Sequence, residues 1–99
     1  MDRQEEVKEM LRVFARNKIR NGLCARFFFF GSRVRGDNRE RSDFDIAVDA
    51  GTPLDPLAID KLREELEALP TLYRIDLVDA ATVSDRFRAE AFQNIEDIA

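Results

Sequence analysis

The chain has 99 residues, 44% apolar and 36% charged, with a net charge of −4. That balance fits one compact domain over residues 1–99 rather than a disordered segment. The longest apolar run, Phe27 to Phe30, is far too short to span a bilayer, and Met1-Asp2-Arg3-Gln4-Glu5-Glu6 is too polar for a secretion signal. The acidic total disfavours broad nucleic-acid binding. A single cysteine, Cys24, rules out an internal disulfide, and the lack of histidine argues against a zinc site or a His-based triad. A reducing cytoplasm is the expected compartment.

Residues 3–20 predict a helix, because Val7, Met10, Leu11 and Phe14 recur at i, i+3, i+4 and i+7 among charges. Asn21-Gly22 ends it. Arg26 to Phe30 predicts a strand, and its consecutive phenylalanines require cover on both faces. Gly31 turns the chain, residues 32–36 allow one helical turn, and Gly36-Asp37-Asn38 breaks it. Four arginines, Arg33, Arg35, Arg39 and Arg41, follow the glycine turn, and guanidinium matches phosphate geometry.

Residues 43–49 predict a second strand whose parity separates two faces. Phe44, Ile46 and Val48 share a dry one; Asp43, Asp45, Ala47 and Asp49 share the other. Asp55-Pro56 suits a helix start, and Ile59, Leu62, Leu66 and Leu69 give that helix an apolar face ending before Pro70. Tyr73 to Asp79 predicts a third strand, in which Asp76 looks away from Tyr73, Ile75 and Leu77 while Asp79 has the core parity. Thr82 or Ser84 can cap a last helix carrying Val83, Phe87, Ala91, Ile95 and Ile98. The order predicts an α/β (α+β) fold, a small mixed sheet with helices packed on one face and its acidic face open.

Asp43 and Asp45 are two apart on a strand, so their α-carbons lie roughly 6.5 Å apart on one side. With Asp76 they form an open acidic face that repels itself unless cations bind, which predicts metal. In a two-ion arrangement Asp43 and Asp45 bridge, Asp76 holds one ion or acts as base, and Ser32 with its backbone holds a leaving pyrophosphate. Other motifs fail on spacing. A P-loop needs Gly-Lys-Ser/Thr where Gly36-Asp37 stands, an EF-hand from Asp43 would meet Val48 and Leu54 at its glycine and glutamate positions, and no dinucleotide fingerprint exists.

Gly31-Ser32-Arg33-Val34-Arg35-Gly36 and Ser42-Asp43-Phe44-Asp45-Ile46-Ala47-Val48 resemble the signature of the minimal nucleotidyltransferase family, within the DNA polymerase β-like superfamily. Ile75-Asp76-Leu77-Val78 resembles its third carboxylate strand, so the likeness covers nearly the whole chain. The resemblance implies a palm-like core, two Mg²⁺ ions, a nucleoside triphosphate such as ATP, and transfer of AMP with release of pyrophosphate. Carried over by position, Asp43, Asp45 and Asp76 become catalytic metal ligands, and Gly31, Ser32, Arg33 and Ser42 nucleotide contacts. The final helix, expected to run to Ala99, is shorter than in many relatives.

A length of 99 residues predicts a single domain without a second one to hold the acceptor. The resemblance therefore implies a small all-helical partner of the HEPN type, as in toxin–antitoxin pairs where AMP is transferred to a tyrosine of the toxin, within a homo- or hetero-oligomer. Alternatives are a non-catalytic antitoxin or scaffold that masks such a partner, and transfer to a small-molecule hydroxyl bound by a separate helical subunit.

Overall fold

The computed structural model describes residues 3–36 and 42–99. The elements run α1 (Arg3–Arg20), β1 (Arg26–Phe30), α2 (Ser32–Arg35), β2 (Phe44–Asp49), α3 (Pro56–Glu67), β3 (Ile75–Asp79), α4 (Asp85–Ala91) and β4 (Glu96–Asp97). The sheet order is β3-β2-β1-β4. β1 pairs antiparallel with β2 and β4, whereas β2 and β3 are parallel. Asp37, Asn38, Arg39 and Arg41 lie outside the described residues. Among the described residues no helix is long and apolar enough to cross a membrane.

The predicted parity decides where the core forms. Phe27, Phe29, Phe44, Ile46, Val48 and Leu77 point to one face, where Val7, Leu11 and Ala15 of α1 and Ile59, Leu62 and Leu66 of α3 cover them. The side chains between them on β1, Phe28 and Phe30, point to the other face and meet Ala47, Val78, Ala80 and Phe92. Four phenylalanines in a row are thus buried on alternate sides of one central strand. Phe92 stands edge-on to Phe28 and Phe30, with centroids 5.0 and 5.1 Å away.

The caps follow the sequence. Asp55 accepts a hydrogen bond from the Leu57 amide at 2.8 Å, with Pro56 in the first turn of α3. Ser84, rather than Thr82, caps α4 by accepting from the Phe87 amide at 3.0 Å.

The C-terminal expectation needs correction. The last helix ends at Ala91, and Ile95 and Ile98 are not on it. The free edge of β1 recruits the chain instead: the Phe27 amide donates to Ala99 O and the Ile98 amide to Phe27 O, each at 2.9 Å. Ile98 is thereby buried in the α1–α3 core, on the opposite side of the sheet from Phe92. Lys8 of α1 reaches this strand through Glu96 at 3.2 Å, its ammonium 5.5 Å from the Phe29 ring centre. β3 is also shorter than the predicted Tyr73–Asp79, beginning at Ile75.

Candidate active site

Gly31 closes β1 with φ +83° and ψ −158°, a region that side chains other than glycine's scarcely enter. A Cβ there would lie 3.2 Å from Asp45 Cγ and closer still to Oδ2. The missing side chain therefore does two things: it lets the strand turn into α2, and it lets the Asp45 carboxylate rest against the turn. Ser32 opens α2, whose Val34 and Arg35 amides donate back to Gly31 O at 3.1 and 3.2 Å. Gly36, left-handed at φ +86°, caps the turn by donating to Ser32 O at 2.9 Å.

The sheet register brings the acidic residues together. Asp45 faces Phe30 across the antiparallel pair and Asp76 across the parallel one. Neighbouring strands lie about 4.8 Å apart, so in-register side chains emerge side by side on one face. Asp43 immediately precedes β2 and adds its field. Burial pushes the Asp45 carboxyl above its ordinary range, the Asp76 and Asp43 charges push it further, and Arg35 and then Arg33 pull it back. Asp76 is half-buried and within 3.4 Å of Arg74 Nε.

A cavity of about 920 Å³ opens on this face. Gly31, Ser32, Asp45 and Asp76 line it, so the structure brings four of the seven site residues selected from sequence to one space, with Arg35 beside them. Arg33, Ser42 and Asp43 are not among its walls.

Arg33 departs from the expected nucleotide contact. It is 7% exposed, with Nε and Nη2 donating to Ser42 O at 3.1 and 2.6 Å and Nη1 to Gln4 Oε1 at 2.6 Å. Its guanidinium lies 4.1 Å from the Phe44 ring centre and 5.0 Å from that of Tyr73, on the α1–α3 side of the sheet. Residues two apart on a helix are turned about 200° from each other, so Arg33 and Arg35 point oppositely. Ser42 is tied through its carbonyl to Arg33, holding the chain entering Asp43.

Asp79 keeps to its predicted parity and is buried, its carboxylate accepting from the Leu54 and Ala81 amides at 2.8 and 2.9 Å. Arg63 and Phe87 also line the cavity and were not foreseen as site residues. Phe87 reads in sequence as core, yet it is 37% exposed, 6.0 Å from the Phe30 ring. No local signal separates such a wall residue from a core one.

The chemistry of the donors suits a hard cation: oxygen ligands only, clustered where Arg35, Arg33 and Arg74 offset their mutual repulsion only in part, so that the Asp45 carboxyl stays above its ordinary range. Among the described residues, no three acidic side chains converge into a ready-made metal site. Mg²⁺ takes few protein ligands and fills its shell with water and substrate phosphates, so an incomplete protein shell fits it.

Over 59 residues the chain is 46% identical to the "Probable protein adenylyltransferase MntA" of Haemophilus influenzae (strain ATCC 51907 / DSM 11121 / KW20 / Rd), covering 60% of this chain and about half, 52%, of that relative. A toxin–antitoxin crystal structure with AMP-PNP aligns with a TM-score of 0.66 at 27% identity, over 95% of this chain and 72% of that one. A tri-AMPylated Shewanella oneidensis HEPN toxin in complex with MNT antitoxin aligns with a TM-score of 0.57 at 26% identity, over 89% and 71%. A mutant of the toxin–antitoxin MntA–HpeT shares the fold, with a TM-score of 0.70 at 24% identity over 93% and 72%. The family described as "Polymerase beta, Nucleotidyltransferase" matches residues 12–98, and the chain belongs to it.

Proposed function

We propose that this domain transfers a nucleoside monophosphate, AMP from ATP, to a hydroxyl of a partner protein, as the antitoxin of a HEPN-type pair. The observation that carries the reading is the register of Asp45 with Asp76 beside the Gly31–Ser32 turn. The relatives' names support the choice of nucleotide and partner.

In this reading Asp43, Asp45 and Asp76, together with the triphosphate oxygens, would hold Mg²⁺, which would supply charge neutralisation and a lowered pKa at the acceptor hydroxyl. Ser32 and the backbone of its turn hold the outer phosphates, and Arg35 offsets their charge from the cavity wall. The acceptor oxygen bonds to the α-phosphorus as the bond from that phosphorus to the bridging oxygen breaks. Pyrophosphate leaves with that bond's electron pair. The hydroxyl proton passes to the Asp76 carboxylate and on to solvent.

The test is incubation of the domain with ATP labelled on its α-phosphate, Mg²⁺ and the co-expressed helical protein. The helical protein becomes labelled, and the Asp43→Ala, Asp45→Ala double variant leaves it unlabelled. Full labelling by that variant would defeat the assignment.

A second reading is neutralisation by masking alone. It is favoured by an apolar groove of about 500 Å³ between α1 and α3, edged by Met10, Val13, Phe14 and Leu69. Under it, the same double variant still neutralises the partner.

A further inference from the structure

We propose that the outer edge of β3 is the docking rail for an extended segment of the acceptor protein, which joins the sheet as an added strand and sets a hydroxyl side chain beside Asp76. The choice of occupant rests on the transfer reading above; the free edge itself does not.

In a parallel ladder both backbone groups of a residue point to the same side. The Phe44 amide donates to Arg74 O and the Ala80 amide to Val48 O, each at 2.9 Å. Arg74, Asp76, Val78 and Ala80 therefore turn their backbone toward β2, and Ile75, Leu77 and Asp79 turn theirs outward. β3 ends the sheet order, so no strand among the described residues meets those outward groups.

Two of the outward carbonyls are taken. Asp79 O accepts from the Thr82 amide and hydroxyl, both at 3.1 Å. Leu77 O accepts from Arg63 Nε and Nη2 at 3.3 and 3.1 Å. The N–H and C=O of Ile75 and the N–H of Leu77 take no partner among the described residues. That is the pattern one short strand satisfies, with Arg63 marking where the pairing stops.

The pleat then fixes the chemistry. A residue of the added strand placed opposite Asp76 emerges on the same face as Asp76, with Cβ atoms about 4.5–5.5 Å apart. A tyrosine, serine or threonine there presents its hydroxyl to the carboxylate side, while its neighbours point away from it. The cavity runs along this edge: Thr71, Tyr73, Ile75 and Leu77 line it together with Asp45 and Asp76. Edge and carboxylates thus share one space, with the Arg63 side chain lying across its Leu77 end.

The test uses the intact ¹⁵N-labelled domain and a short synthetic peptide of alternating threonine and valine around one tyrosine. Neither ATP nor Mg²⁺ is added. On binding, the Ile75 and Leu77 amides exchange with solvent at least about tenfold more slowly, while the Asp76 amide, already bonded within the sheet, does not change. The same peptide N-methylated at the amides on its pairing edge loses the effect, and one N-methylated on its other edge keeps it. Equal behaviour of the two methylated peptides, protection that omits Ile75 and Leu77, or no protection at the highest soluble peptide concentration overturns the proposal. Loss of AMP transfer with this protection intact would strike the transfer reading and leave the docking edge standing.

Discussion

Gly31 and Asp45 are in contact in a way that only glycine permits. The turn that ends β1 presents its bare α-carbon to the carboxylate on β2. The backbone bend and the position of an acidic side chain on the next strand are one feature.

Replacing Gly31 with alanine should therefore cost more than the same change at Gly36. Both have positive φ, but a Cβ at Gly36 meets nothing within 4 Å. Gly36→Ala should cost about 1–2 kcal/mol, or about 5–15 °C in Tm for a chain of this size. Gly31→Ala should add displacement of Asp45 to a conformational cost of about 1–3 kcal/mol. Thermal unfolding and ATP titration of both variants check this: Gly36→Ala loses stability, whereas Gly31→Ala loses stability and nucleotide affinity.

The raised pKa of Asp45 gives a pH dependence of definite sign. Its folded carboxyl holds its proton more tightly than the ordinary value of 3.8. Between that value and the raised one, the native state binds more protons than the unfolded chain, so this group's contribution to stability falls as pH rises. Asp45→Asn should raise the Tm of the cation-free domain at neutral pH and leave it nearly unchanged below about pH 3.8. Added Mg²⁺ should raise the Tm of the parent chain more than that of the variant. Calorimetry across pH, with and without Mg²⁺, measures both effects.

Arg33 should behave as a fold residue rather than a nucleotide contact. Arg33→Lys cannot keep both bonds to Ser42 O while stacking on Phe44, and should cost about 2 kcal/mol. Its ATP affinity at temperatures where it remains folded should stay within about threefold of the parent, a factor of about 0.65 kcal/mol. Arg35→Ala should weaken ATP binding by about tenfold or more, as expected for loss of a charge-assisted contact. Isothermal titration of the two variants separates the roles.

Asp76 and Asp79 offer the matching contrast on one strand. Asp79→Asn retains one acceptor oxygen but loses one of the amide bonds from Leu54 or Ala81, costing about 1–2 kcal/mol. Its transferase rate at low temperature should be unaltered. Asp76→Asn should leave Tm equal or higher and abolish transfer. A Tm and rate measured side by side would expose a reversal.

The sequence by itself determined what local periodicity can carry. Period-two parity separated Asp43, Asp45 and Asp76 from Phe44, Ile46 and Leu77, and it sent Asp79 inward. Capping chemistry started α3 at Asp55-Pro56, and Gly31 marked the turn at the end of β1. Tertiary structure alone decided which strand neighbours which, and hence that Asp45 sits opposite Asp76. It turned Arg33 into the α1 side of the sheet, because a four-residue helix rotates successive arginines to opposite sides and only packing selects between them. It also ended α4 at Ala91, although Ile95 and Ile98 continue the helical stripe. The backbone edge of β1, distant in sequence, offers hydrogen bonds and a buried place for Ile98 that an isolated helix cannot match, and such a competitor leaves no trace in the residues it recruits.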